Sequence, residues 1–130
     1  MSQKPRILIV DDEPAVLLTY TLILEQSGYL VDAVRTAEEA KTELRRKHFA
    51  LVVCDLSLGS GSHRTGHGGL DVIDFARRRQ PNVGAVLLTG FADKETTDEA
   101  AAKGIAVLFK PIDVSDLLRT IRPLAGGSAA

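Results

Sequence analysis

Four apolar runs of the sequence are each followed at once by a polar residue of a type that does chemistry. The run RILIV leads into three consecutive acids, FALVVC into a carboxylate, AVLL into a hydroxyl and IAVLF into an amine. Carboxylates can act as nucleophiles or bind a hard cation, and an amine can neutralise an anion. Whether these groups form a site depends on the elements that carry them. The residues are Asp11, Asp12 and Glu13, then Asp55, Thr89 and Lys110.

The apolar runs alternate with longer amphipathic segments. PAVLLTYTLILEQSG has apolar residues at helical spacing, with Pro14 in its first turn and Gly28 beyond its end. TAEEAKTELRRKH is a second helix with Thr36 as its N-cap. LDVIDFARRRQ, with Leu70, Ile73 and Phe75 as buried candidates, DKETTDEAAAKG and DVSDLLRTIRPL are the remaining helices. The predicted strands are RILIV, YLVDAV, FALVVCDL, VGAVLLTG and IAVLFKP.

This alternation predicts an α/β domain with a doubly wound, five-stranded parallel sheet and five helices. Right-handed crossovers place helices on both faces, and the continuously apolar strands suit a sheet that is buried on both sides. In such a sheet the ligand site lies beyond the carboxyl ends of the strands. The polar residues named above all leave those ends, so we expect them to converge.

Composition limits the possible classes of protein. The 130 residues, 45% hydrophobic and 25% charged, fit one domain, predicted over residues 1–125 with a flexible tail at 126–130. A net charge of -1 gives no pull toward nucleic acid or an anionic membrane. No apolar run approaches the roughly 20 residues of a membrane span, and MSQKP does not begin a signal peptide. We expect a soluble cytoplasmic protein with no direct nucleic-acid or membrane partner.

Several conspicuous residues have ordinary structural explanations. The basic runs 45–47 and 77–79 close predicted helices, where cations suit the helix dipole. Cys54 lies in an apolar run and is interpreted as a small buried hydrophobe. His63 and His67 lie four apart in the glycine-rich segment after Asp55, which favours a mobile loop over a metal site.

The order and spacing of four motifs resemble the receiver domain of two-component response regulators, the fold of the bacterial chemotaxis regulator. The motifs are DD after the first strand, VVCDLSLG around Asp55, LLTG with Thr89, and FKP with Lys110. The resemblance runs from about Arg6 to Leu124. It implies a flavodoxin-like receiver fold with strand order 2-1-3-4-5.

The resemblance implies that Asp55 accepts a phosphoryl group from the phosphohistidine of a histidine kinase or histidine phosphotransfer protein. A carboxylate can form an acyl phosphate, but its charge repels an anionic donor, so something must cancel that charge. Lys110 would place a cation beside the phosphoryl oxygens, and the Thr89 hydroxyl would bond to one of them. The domain would switch conformation and promote only its own phosphorylation and dephosphorylation, which makes it a signalling module and not an enzyme.

The same resemblance implies Mg²⁺ as the cofactor. Mg²⁺ prefers hard oxygen ligands and keeps several waters. Asp12 and Asp55 would bind it directly, Asp11 largely through water, and Ser57 through its backbone carbonyl. Adjacent acids at the end of a strand are then explained as a site poised for a divalent cation.

Two features depart from the usual family pattern. An aromatic residue commonly lies three positions before the lysine, whereas Val107 lies there in this chain and Phe109 two positions later on the same face. The segment after Asp55 is longer than usual and has no proline. We therefore expect switching to depend on Thr89 and on the fourth helix, which offers only alanines for burial.

Alternatives remain open at this point. A haloacid-dehalogenase-like phosphatase also uses an Asp nucleophile and Mg²⁺, but its nucleophile follows the first strand with a second Asp two residues later, which DDEPA does not match. A pseudo-receiver would bind partners without taking phosphate, and the full set of polar residues argues against it. No DNA-binding region follows the last helix, which favours a stand-alone regulator, a phosphorelay intermediate or a hybrid-kinase receiver.

Overall fold

One parallel sheet organises the domain. The computed structural model describes residues 4–58, 68–90 and 94–125. In these residues five parallel strands lie in the order β2-β1-β3-β4-β5, as predicted. The strands are β1 Arg6–Val10, β2 Leu30–Val34, β3 Leu51–Asp55, β4 Gly84–Thr89 and β5 Ala106–Phe109. The helices between and after them are α1 Pro14–Gln26, α2 Ala37–Arg46, α3 Gly68–Arg79, α4 Lys94–Ala102 and α5 Val114–Ala125.

Each face of the sheet carries its own hydrophobic core. Ile7 and Ile9 of β1 pack in one cluster with buried residues of α1 and α5. Leu8 and Val10 point the other way and pack with buried residues of α2, α3 and α4. This alternation along one strand follows from the two-residue period of β-structure. All four of these side chains are fully buried, so β1 is covered on both faces.

Local sequence signals set the ends of the helices as predicted. Pro14 is the first residue of α1, and Gly28 lies just past its end at φ 101°, a conformation that costs glycine little. Thr36 caps α2 by accepting a hydrogen bond of 3.1 Å from the backbone N–H of Glu39. The Glu39 carboxylate accepts in return from the backbone of Thr36, at 3.3 Å, which completes a capping box.

Two expectations about buried residues were wrong. Phe75 is only half-buried, because it faces the neighbouring helix α2 rather than the sheet. The helix α4 buries a hydroxyl as well as a methyl group, since Thr96 and Ala100 lie four apart and share the inward face. Its remaining alanines, Ala101 and Ala102, are exposed, so alanine alone does not anchor this helix.

The remaining predictions concern the two basic runs, Cys54, the histidines, the C-terminal tail and membrane-spanning helices. Arg45 and Arg46 lie in the last turn of α2 with Lys47 as its C-cap residue, and the run 77–79 lies in the last turn of α3. Cys54 is a free, fully buried thiol. Burial, then the charges of Asp55 and Asp11, raises the pKa of that thiol. The histidines at 63 and 67 and the tail at 126–130 lie outside the described residues. None of the helices in the described part of the chain has the length and apolar character that a bilayer span needs.

Candidate functional site

Three carboxylates meet at the carboxyl edge of β1 and β3. Asp11 follows β1 and its backbone N–H still donates to Val34 of β2, at 3.2 Å, so the strand ladder fixes its position. Asp55 is the last residue of β3. Asp11 is fully buried, Asp55 is 4% exposed and Asp12 is exposed. Asp11, Asp12 and Asp55 each offer an oxygen within 4.8 Å of the others.

Lys110 carries the positive charge that balances these acids. Its Nζ donates a 3.0 Å hydrogen bond to Oδ2 of Asp11 and lies 3.6 Å from Oδ1 of Asp55. Glu13 Oε1 is also 3.6 Å away. The backbone N–H of Lys110 donates to the Thr89 carbonyl at 2.7 Å, which ties the residue to the end of β4. The acids that repel one another along the sequence are thus partly neutralised by a residue from the far end of the sheet.

Burial and neighbouring charges shift the pKa values of both Asp55 and Lys110. Burial, then the charge of Asp11, raises the pKa of Asp55, while Lys110 and hydrogen bonds from Ser57 act in the opposite direction. Burial alone would lower the pKa of Lys110, but its hydrogen bond to Asp11 and the charges of Asp55, Asp11 and Glu13 outweigh burial and raise it. The resting site therefore holds a protonated lysine beside a carboxylate that is costly to ionise.

The sequence profile of the response regulator receiver domain matches residues 7–122. The chain belongs to the response regulator receiver domain family. The predicted fold and the family resemblance are both confirmed. The two alternatives, a phosphatase of the haloacid dehalogenase type and a pseudo-receiver, gain no support from these relatives.

Individual relatives agree with this assignment. The alginate biosynthesis transcriptional regulatory protein AlgB of Pseudomonas putida is 37% identical over 113 residues, 86% of this chain and 24% of AlgB. The acid tolerance regulatory protein ActR of Sinorhizobium medicae is 32% identical over 88% of this chain and 57% of ActR. A CheY-like receiver domain protein from Methanospirillum hungatei JF-1 superposes with a TM-score of 0.82 at 30% identity, covering 95% of this chain and 94% of that structure. This receiver domain spans about a quarter of the length of AlgB.

A close backbone approach holds the start of α3 against the end of β3. The Ser57 hydroxyl lies 3.3 Å from Oδ2 of Asp55, within donating distance of the carboxylate. The backbone N–H of Gly69, in the first turn of α3, donates to the Leu56 carbonyl at 3.1 Å. A Cβ at Gly69 would lie 2.4 Å from the Asp55 carbonyl oxygen, so only glycine fits. Sequence reasoning missed this residue, although the GG pair directly before the helical pattern was a possible signal.

Gly69→Ala is expected to lower the free energy of unfolding by about 2–3 kcal/mol, the scale of overpacking in a close-packed region. Replacing glycine by alanine in a helix usually gains up to about 1 kcal/mol, but here the clash is with backbone atoms of the residue that ends β3. Urea denaturation measures the change. Gly90→Ala is the control, because a Cβ there meets nothing within 4 Å. Equal stability of the two variants would contradict the prediction.

Thr89 and the end of β5 complete the described part of the site. Thr89 is the last residue of β4, is 6% exposed and pairs in register with Phe109. Val107 is half-buried and packs against the core cluster on the α2, α3 and α4 face. Phe109, two residues later, is 45% exposed. An exposed aromatic residue therefore lies next to Lys110, whereas the position usually taken by an aromatic holds a packed valine.

Proposed function

We propose that Asp55 accepts a phosphoryl group from the phosphohistidine of a histidine kinase or histidine phosphotransfer protein. The observation that carries the proposal is the arrangement around one carboxylate. Two further carboxylates lie within 4.8 Å of it, and the Lys110 ammonium lies 3.6 Å away. This is a concentration of charge that capping or folding does not need, but phosphoryl transfer does.

We further propose that Mg²⁺ is the cofactor. The converging carboxylate oxygens of Asp11, Asp12 and Asp55 suit a hard cation that accepts few protein ligands and keeps its waters. Asp12 and Asp55 would bind it directly, Asp11 largely through water, and Ser57 through its backbone carbonyl. When bound, the ion supplies positive charge against which the carboxylate and the phosphoryl oxygens can approach.

The residues of the chain then divide the remaining tasks. One Oδ atom of Asp55 attacks the phosphorus, the phosphorus–nitrogen bond of the donor breaks, and the imidazole leaves with the bonding electrons. Lys110 moves from the acids of the resting site to the phosphoryl oxygens, because the acyl phosphate carries more charge than the carboxylate it replaces. The Thr89 hydroxyl donates to one of those oxygens, and its displacement starts the conformational switch.

The output is proposed to lie beyond this fold. AlgB and ActR are regulatory proteins longer than a receiver domain, so the phosphorylated state would be read by an output domain or a partner protein. The receiver unit is proposed to comprise residues 1–125, with 126–130 as a tail, and to act in the cytoplasm. It would act on no substrate other than its own Asp55.

Phosphorylation from acetyl phosphate, followed by intact-mass spectrometry over a Mg²⁺ titration, tests both proposals. The parent protein is expected to form the adduct only with Mg²⁺ present. Asp12→Ala is expected to need on the order of tenfold more Mg²⁺, because it removes one direct carboxylate ligand but leaves Asp55 intact. Asp71→Ala is the control, an exposed acid in the first turn of α3. An adduct that forms equally well in chelator would contradict the metal assignment.

A further inference from the structure

Three cations from two helices surround the half-buried ring of Phe75. The Arg45 guanidinium lies 5.1 Å from the ring centroid, the Lys41 Nζ 5.7 Å and the Arg79 guanidinium 6.0 Å. Lys41 and Arg45 lie four apart on α2, and Phe75 and Arg79 four apart on α3, so each pair shares one helix face. We call these four residues the Phe75 cluster.

The positive charge of the Phe75 cluster is not balanced within the described part of the chain. None of its three cations forms an ion pair there. Two carboxylates of the same helices have other partners: Glu43 pairs with Arg46 and Asp74 with Lys103. Glu38 and Asp71 form no ion pair with the Phe75 cluster in the described part of the chain. Cation–π attraction to the ring holds the three cations close but does not cancel their mutual repulsion. An anion bound between them would relieve that repulsion.

The Gln80 side chain links the backbone at the ends of α2 and α3, the two helices that carry the Phe75 cluster. Gln80, just past the end of α3, donates through Nε2 to the carbonyls of Leu44, at 3.1 Å, and Lys47, at 2.8 Å, at the end of α2. Its Oε1 accepts from the backbone N–H of Phe49 at 2.8 Å. These bonds fix the two helix ends relative to each other. Binding there would therefore lose little freedom of the backbone, which favours affinity.

We propose that the Phe75 cluster is a docking surface for an acidic segment of a partner protein, one with several Asp or Glu residues close together. Guanidinium groups match carboxylates with paired hydrogen bonds, and the ring offers an apolar surface to the adjoining methylene groups. Nucleic acid fits less well, because it is attracted by extended basic surfaces, whereas this chain has a net charge of -1 and the Phe75 cluster holds only three cations.

The Phe75 cluster lies at the opposite edge of the sheet from Asp55, the proposed phosphorylation site. The last turns of α2 and α3 precede β3 and β4, so they lie at the amino edge of the sheet, opposite the acids at its carboxyl edge. An acidic segment bound there would leave Asp55 open to its donor. The docking proposal therefore does not depend on the phosphoryl-transfer proposal and can fail or succeed separately.

Fluorescence anisotropy of a labelled hexaglutamate peptide with the full chain at low salt tests the proposal. The parent is expected to bind, and Arg45→Gln/Arg79→Gln to weaken binding about tenfold or more, because two of the three cations are lost. The matched control is Arg46→Gln/Arg78→Gln, which removes the same charge from the neighbouring residues of the same helix ends. Its affinity is expected to stay within about twofold of the parent.

A second variant, Phe75→Leu, keeps all charges and removes the ring that gathers them. Its affinity is expected to fall between those of the two double variants, with circular dichroism reporting that each variant is folded. No binding of the peptide by the parent would overturn the proposal. So would equal losses in the two double variants, or tighter binding of a single-stranded oligonucleotide or of phosphatidylserine vesicles than of the peptide.

Discussion

Asp55→Asn is expected to abolish adduct formation from acetyl phosphate while raising the free energy of unfolding in metal-free buffer at neutral pH. The amide has no anionic oxygen to attack phosphorus, so the chemistry is lost altogether. The gain in stability has a separate cause. Asp55 is 4% exposed and close to Asp11, and these two features raise its pKa more than Lys110 and Ser57 lower it.

Because the pKa of Asp55 is raised, the stability gained by Asp55→Asn depends on pH. Below the ordinary value of 3.8 the carboxyl group is neutral in the folded and the unfolded chain. Between 3.8 and the raised pKa of the folded chain, the unfolded chain has lost the Asp55 proton while the folded chain still holds it. Raising the pH through this range therefore lowers the free energy of unfolding of the parent. The amide does not titrate. The difference between variant and parent should therefore be small in acid and reach on the order of 1 kcal/mol at neutral pH, the scale for partly screened charges a few Å apart.

Intact-mass spectrometry and urea denaturation in chelator, repeated across the acidic to neutral range, measure both effects. Asp71→Asn is the matched control, since it makes the same change at an exposed residue in the first turn of α3. It should keep the adduct and show no comparable pH-dependent gain. A phosphoryl adduct on Asp55→Asn would refute the assignment of the acceptor. A variant less stable than the parent in chelator at neutral pH would refute the electrostatic account.

The elements and the edge where the polar residues gather were predictable because both depend on local pattern. Helical and strand periods set the elements, and parallel pairing brings the carboxyl ends of the strands together whatever their order. Periodicity alone does not determine the order 2-1-3-4-5, because several strand orders satisfy the same alternation. The family resemblance is what implied that order, and the structure agrees with it.

What the sequence could not provide was contact between distant residues. Lys110 and Asp11 are 99 residues apart, and nothing in either motif indicates that the ammonium lies closer to Asp11 than to Asp55. The close approach of Gly69 to β3 depends on where α3 docks. Phe75 was named as a buried candidate of its helix, but its apolar character alone does not indicate that the side chain lies against α2. In each case the deciding distance is tertiary.

Lys110→Met is expected to lower the free energy of unfolding by about 2–3 kcal/mol at neutral pH in chelator, because it leaves the buried carboxylate of Asp11 without its counter-charge. The methionine keeps much of the apolar stem, so packing changes little. Asp11→Asn/Lys110→Met should recover much of the stability, since both charges are then absent.

The control is Lys94→Met, which makes the same substitution in an ion pair of shorter distance. Lys94 Nζ lies 2.7 Å from Asp98 Oδ2, against 3.0 Å for Lys110 and Asp11, but the Lys94 and Asp98 side chains are 87% and 64% exposed. Exposed pairs contribute about 0–1 kcal/mol because water screens them and their side chains lose entropy on pairing. If burial rather than distance sets the strength of the pair, Lys110→Met should cost several times more than Lys94→Met in urea denaturation. Added Mg²⁺ should stabilise Lys110→Met more than the parent, because a bound cation takes over the charge of the missing lysine. Equal costs for the two variants would mean that Lys110 does not hold the acids of the resting site together.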